Sequence, residues 1–247
     1  MTTYLQDDEA SAERAERVVE HFVGVLEEIA GSGTIKVLSD RARLFPCAFG
    51  WWAGITRSCQ ALLTLHRAGL AHEGAPIVRT VLQHALALQW LIETGDPALD
   101  AIAEYGDDNT RKLIDTLSES RWPLPDGWTT PRPAKPKTPH PLLPKLTDFS
   151  QMCRPYGALQ LYVPFRLLSA HAHPTSVSAM AYVDGDTGHL QINATGPTRG
   201  HLIQAAMCLI QAWKIMSAAV DDIILDDAVA KAEGILGVEV GLWTAGS

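Results

Sequence analysis

The sequence predicts an all-α chain: a helical bundle with one small β-hairpin insertion and one proline-rich loop, built as a single domain over its 247 residues. Apolar residues recur at helical spacing through most of the chain, interrupted by helix-capping residues. Strand-like alternation on both sides of a tight turn occurs once, around DGDTG at 184–188. Eight of the fifteen prolines fall between Arg121 and Lys145, which confines the break in helical structure to one segment.

The first helix is expected from Asp7 to Ala30, with acidic residues in its first turns, apolar residues at Val18, Phe22, Val25, Leu26 and Ile29, and Gly31-Ser32-Gly33 beyond its end. A central helix follows from Pro46 to His72. It is apolar on most sides with small residues interspersed, as a helix packed among several others must be. Pro76 suits the first turn of the next helix, which runs to a glycine stop at Gly95. Asp96 then serves as N-cap of a helix reaching Ser120. Arg121 to Lys145 reads as an extended, locally basic loop, a solvated spacer or else a grip on substrate. The segment around Phe165 to Ser176 is helical up to Pro174, the hairpin follows, and Thr195 with Pro197 opens a last long helix through Asp222 or beyond.

Composition limits the functional classes. The chain is 47% hydrophobic and 19% charged, an ordinary globular balance. No basic start followed by an apolar run marks a secretory signal, so a cytoplasmic location is expected. The most apolar segment, Leu202 to Val220, carries Gln204, Gln211 and Lys214, which favours a core helix over a membrane span. Cys47, Cys59, Cys153 and Cys208 form no CxxC pair and read as reduced thiols. A formal charge of −8 means that nucleic acid would be bound only at a local basic surface.

The chemistry concentrates in FRLLSAHAHPTS, Phe165 to Ser176. On a helix, Arg166, Ser169 and His173 share one face, while His171 is displaced by about 140° from Arg166. Pro174 disfavours helical geometry at His173 and places that imidazole at the helix end. An arginine beside a histidine is what phosphoryl chemistry without a metal needs: the guanidinium grips phosphate and the imidazole moves a proton. Ser169 would orient either one. Arg79 and Gln83, one turn apart on an apolar helix, are candidates for the same cleft; either a carboxylate meets Arg79 or the site is open to an anion. His84 lies on another face. Lys135 and Lys137 of the basic loop are further substrate-binding candidates.

An all-helical chain in which an arginine is followed by four to six residues and a histidine resembles the HEPN superfamily, many of whose members are metal-independent ribonucleases of toxin, defence and RNA-processing systems. Arg166 with His171 has the four-residue spacing and Arg166 with His173 the six-residue spacing. The block is also similar to that of an uncharacterised bacterial helical family, which has an earlier arginine-containing helix resembled here by Val78 to Glu93. The resemblance touches roughly 54–219, its specific part being about a dozen residues. It implies that Arg166 contacts the scissile phosphate, that His173 or His171 is the general base toward a ribose 2′-hydroxyl, and that the partners are RNA, a second copy in a homodimer and an antitoxin or regulator. It implies no cofactor. Leu167 departs from the family, whose active members often carry a polar residue there.

Other readings compete. His171 and His173 would make a metal pair only on a strand, and no further ligand set completes one. Asp184 and Asp186 lack a calcium loop and read as a turn. Asp222 and Asp226 of DDIILDD share a helical face, where magnesium would need a second carboxylate cluster; a solvated acidic face is the simpler reading. A non-catalytic partner-binding or sensing protein, with Arg166, Ser169 and His173 organising the core, is the alternative to the nuclease.

Overall fold

A computed structural model describes residues 8–32, 35–124, 127–194, 199–221 and 223–244. Asp7, Gly33, Thr195, Pro197 and Asp222, used in the sequence reading, lie outside them. The helices are α1 (Glu9–Ser32), α2 (Phe45–Arg67), α3 (Ala75–Thr94), α4 (Asp96–Ser120), α5 (Leu143–Thr147), α6 (Phe149–Cys153), α7 (Tyr162–Ala172), α8 (Ser176–Met180), α9 (Arg199–Ser217) and α10 (Ile223–Leu236). None of them is long and apolar enough to cross a membrane.

The long helices form because each has an apolar face to bury, and α3 is apolar almost all round because it is covered on several sides. It packs against α2, α9 and α7, with Val81, Leu82 and the whole run Ala85 to Ile92 buried. At its entry Gly74 leaves room for Leu62, whose Cδ1 would lie 2.3 Å from a Cβ there and would have to shift. Gly95, at φ +73°, makes the turn between α3 and α4. It also occupies the N-cap position and no side chain caps α4, so Asp96 is the first helical residue and not the cap expected from the sequence.

The core centres on Trp213 of α9, stacked on Phe22 of α1 with centroids 4.4 Å apart and edge-on to Trp52 of α2 at 4.6 Å. Trp213 Nε1 donates to Thr56 Oγ1 (3.2 Å), which supplies the partner a buried indole N–H needs. All four cysteines are free thiols, with only Cys47 partly exposed.

Three further expectations change. The hairpin is reduced to a single antiparallel bridge, Val183 to Leu190, and there is no strand among the described residues. The turn sits where the sequence put it, with Asp184 Oδ1 accepting from Asp186 N and Thr187 N. Pairing does not extend, because Leu190 and Ile192 have no apolar layer to pack on and because Ser176 to Met180 is taken into α8 by a capping box between Thr175 and Ser178. The central helix stops at Arg67, and His72 belongs to a separate short 3-10 turn, His72–Gly74. Finally α9 ends at Ser217 and a separate α10 carries Asp226 and Asp227, both exposed.

The proline-rich segment is strapped along α4. Arg132 forms a bidentate pair with Asp115, Arg111 donates to Ala134 O (3.0 Å) and to Asp108 (3.1 Å), and His140 N donates to Glu104 Oε1 (3.0 Å). Of the strap's basic residues Arg132 is thus paired with a carboxylate of α4, while the strap's other ties to that helix run through its backbone groups. The strap leads into α5 and α6, whose junction forms one wall of the site described next.

Candidate functional site

The site lies where α7 crosses α3. Helix α7 buries Phe165 and Leu168 and turns Arg166 outward. Pro164 falls in its first turn, where no helical N–H is lost. Pro174 forces the preceding residue out of helical geometry, and His173 is accordingly extended at φ −116°, ψ 157°. Side chains then close the helix end: Thr175 Oγ1 donates to Ala170 O (2.6 Å) and Ser178 Oγ donates to His173 O (2.8 Å). His173 is thereby held at a fixed junction with its ring exposed.

Between these elements opens a cleft of about 500 Å³, lined by Arg79 and Gln83 of α3, by Arg166, Ser169 and His173 of the α7 segment, and by the corner at Thr147, Asp148 and Phe149. Tyr162, Phe165, Ala170 and Thr175 complete it. Arg79 Nε donates to Ser169 Oγ (2.7 Å), whose hydroxyl donates on to Phe165 O (2.7 Å). The Arg79 guanidinium lies over the Phe165 ring, 4.4 Å from its centroid. Arg166 lies over Tyr162 at 5.9 Å and reaches its hydroxyl at 3.4 Å. Among the described residues no carboxylate is within ion-pair distance of either arginine.

Asp148 is the one carboxylate in the lining. It caps α6 by accepting from Ser150 N (2.8 Å), and the hydrogen bonds from Ser150 hold its pKa below the ordinary carboxylate range. Its charge is therefore present at neutral pH in a cleft that also holds two guanidinium groups, with neither of which it forms an ion pair.

Of the residues singled out in the sequence, Arg79, Gln83, Arg166, Ser169 and His173 line this one cleft. His171 does not: its ring sits edge-on to His72, centroids 4.7 Å apart, on another side of α7. Lys135 and Lys137 are exposed on the strap and are absent from the lining. His84 bonds Thr80 O (2.9 Å) and lines a smaller groove with Trp51, Gly50 and Gly54. No three His, Cys, Asp or Glu side chains among the described residues are placed to hold a metal ion.

Sequence reasoning missed Asp148, Thr147, Phe149 and Tyr162. A signal existed for two of them: Asp148 two residues before Ser150 is a capping pattern, and Tyr162 precedes Arg166 by one helical turn. The cleft offers arginines to an anion and presents an imidazole at its edge. No family model, no curated protein and no solved structure matches the chain.

Proposed function

We propose that the chain is a metal-independent endoribonuclease of HEPN-like fold, of the toxin or defence type, acting as a homodimer and held in check by an antitoxin or other regulatory protein. One observation carries the reading: Arg79, Arg166, Ser169 and His173, drawn from two helices, converge on one open cleft in which neither arginine has a carboxylate partner among the described residues. Arginines kept free of carboxylates suit a phosphodiester, which they grip by charge-assisted hydrogen bonds. In the proposed reaction His173 takes the proton of a ribose 2′-hydroxyl and the 2′-oxygen attacks phosphorus. The P–O5′ bond breaks, leaving a cyclic phosphate and a 5′-oxygen that is protonated from solvent. Arg166 stabilises the charge gathering on the phosphoryl oxygens. No cofactor is called for.

The homodimer is supported by an apolar stripe on the outer face of α7, where Val163 and Leu167 are 62% and 63% exposed beside the cleft. Leu167 then has a use at an interface in place of the polar residue its family position would carry.

The second reading, a non-catalytic binding module, is favoured by Asp148 in the lining and by the way Arg79, Ser169 and Phe165 stitch α3 to α7. The deciding measurement is cleavage of varied single-stranded RNAs in EDTA, with end-group analysis. The nuclease requires cyclic-phosphate products, a loss of about 10²-fold or more in His173→Ala and at least as large a loss in Arg166→Ala, with His171→Ala close to wild type. Intact RNA after incubation with folded wild-type protein rejects the nuclease in favour of the binding module.

A further inference from the structure

The two arginines of the cleft are held by different partners. Arg79 is anchored through Nε to Ser169 and lies flat on Phe165, whereas Arg166 extends over Tyr162. The two rings are nearly parallel, 18° apart, with centroids separated by 6.0 Å. Each guanidinium therefore has its own aromatic support and its own hydrogen-bond partner, on two different helices. The Arg79 anchor uses only Nε; its terminal nitrogens make no hydrogen bond among the described residues and are not shut away from solvent. Gln83, one turn further along α3, lines the same side and adds an amide that can donate to a phosphate oxygen.

We infer that Arg79 and Gln83 form a second phosphate subsite, distinct from the Arg166–His173 pair, and that the ligand of this cleft is a single-stranded nucleic acid engaged through two successive phosphates. Ser169 is the positioning residue of that subsite. By taking Nε it fixes the guanidinium plane and leaves the fork of terminal nitrogens to the ligand, the geometry that bidentate phosphate recognition uses. A ligand with one phosphate leaves one of the two guanidinium groups unneutralised. The aromatic faces and the room in the cleft suit a strand and not free inorganic phosphate, since bases stack on such rings with little sequence preference.

The inference rests on the proposal that the cleft takes phosphodiesters, but it does not depend on cleavage, and 2′-deoxy ligands separate the two because they lack the attacking hydroxyl. Fluorescently labelled deoxydinucleotides and deoxytrinucleotides, with one and two internucleotide phosphates, would be titrated into the full chain over a range of salt. Wild type should bind the trinucleotide about tenfold or more tightly than the dinucleotide, one charge-assisted contact's worth. Arg79→Ala should erase that advantage and lower the slope of log K against log salt by about 0.7, the value for one phosphate contact on a single strand. Arg79→Lys, which keeps the charge between α3 and α7 but not the fork, should keep the slope and weaken the trinucleotide selectively. Ser169→Ala should do the same. If the trinucleotide has no advantage in wild type, or keeps it in folded Arg79→Ala, the second subsite is wrong. Should Arg79→Ala not fold, a lysine variant that binds the trinucleotide like wild type is equally fatal. Arg79-dependent binding without any RNA cleavage would keep the subsite and reject only the nuclease; cleavage with unaltered binding in the Arg79 variants would do the reverse.

Discussion

His171 and His173 are two positions apart, and the proline after them gives them different surroundings. His173 is released from the helix into the cleft, while His171 stays on the last turn of α7 and meets His72 edge-on. His171 Nδ1 is buried and makes no hydrogen bond. Burial, then the neighbouring His72, pushes its pKa below the ordinary 6.5. The other ionisable groups around the pair are Glu73 and Tyr182, bonded to each other at 2.6 Å, and His66, which lines an adjoining pocket and faces Glu16 at 3.7 Å. With the folded-state pKa depressed, the unfolded chain binds more protons than the folded one as pH falls through 6.5. The contribution of His171 is thus fully present above that pH and lost below it. His21, lowered chiefly by its own burial, acts in the same direction. Thermal unfolding followed from pH 7.5 to 5 should show Tm falling with acid, and His171→Phe should flatten part of that fall while His21 accounts for another part. An unchanged pH profile in a folded His171→Phe protein would show that the His72–His171 contact does not govern acid stability.

Among the elements, α4 buries little apolar surface, only Ala98 and Ala101 besides Arg111, and its partner is the strap. Arg111, 8% exposed, is the deepest of the tethers, with its guanidinium shared between Ala134 O and Asp108. The Arg132–Asp115 pair is about half exposed on both sides, where ion pairs contribute little. Arg111→Ala should therefore open the strap, raising the rate of limited proteolysis within 121–142 by roughly tenfold, whereas Arg132→Ala should change it far less. Equal rates in the two variants would mean that the strap is held by something other than its charges. The same contrast explains what could be read in advance. The long helices declared themselves because Val18, Phe22 and Leu26, or Val81, Leu82 and Ala85, carry the period of the face they bury. Arg166, Ser169 and His173 were legible as a stripe for the same reason. Helices of five residues, α5, α6 and α8, have too few turns to show a period, and α8 is made by the Thr175–Ser178 capping box alone. Asp148 was legible as a helix cap but not as part of a site, because a cleft wall depends on how a corner packs against α3 and α7, and that packing leaves no local pattern. The carboxylates of α4 that hold the strap are read as ordinary solvated acids until the strap is seen lying on them.

At the scale of the whole molecule, part of the apolar surface that the core does not use lies on α7 and α8, the segment that also carries Arg166 and His173. Leu159, Val163 and Leu167 follow one another at four-residue spacing along the outer side of α7 and the turn before it, and Val177 and Met180 continue the exposed apolar surface on α8. Exposed apolar side chains repeated along one helix face, next to polar residues such as Arg166 and His173, are a feature of interaction sites. In the proposed homodimer the stripe packs on its own symmetry mate, since a two-fold interface brings the same patch from both copies together. The two clefts then lie along one interface, and a strand held in either would pass close to the other. Sedimentation equilibrium at micromolar concentration should give a dimer for the wild type. Leu167→Glu and Val163→Glu would each place a charge in the buried centre of that interface, where desolvation is severe, and should raise the dissociation constant by about tenfold or more without lowering Tm of the monomer, because both side chains are already mostly exposed. If the site is built across the two copies, RNA cleavage should fall in the same proportion as dimer content, and raising the protein concentration should restore both together. A wild type that stays monomeric up to about 100 μM, well above the range in which specific interfaces form, would remove the homodimer and leave the stripe to another partner. A dimer that persists unchanged in both glutamate variants would place the interface elsewhere on the molecule.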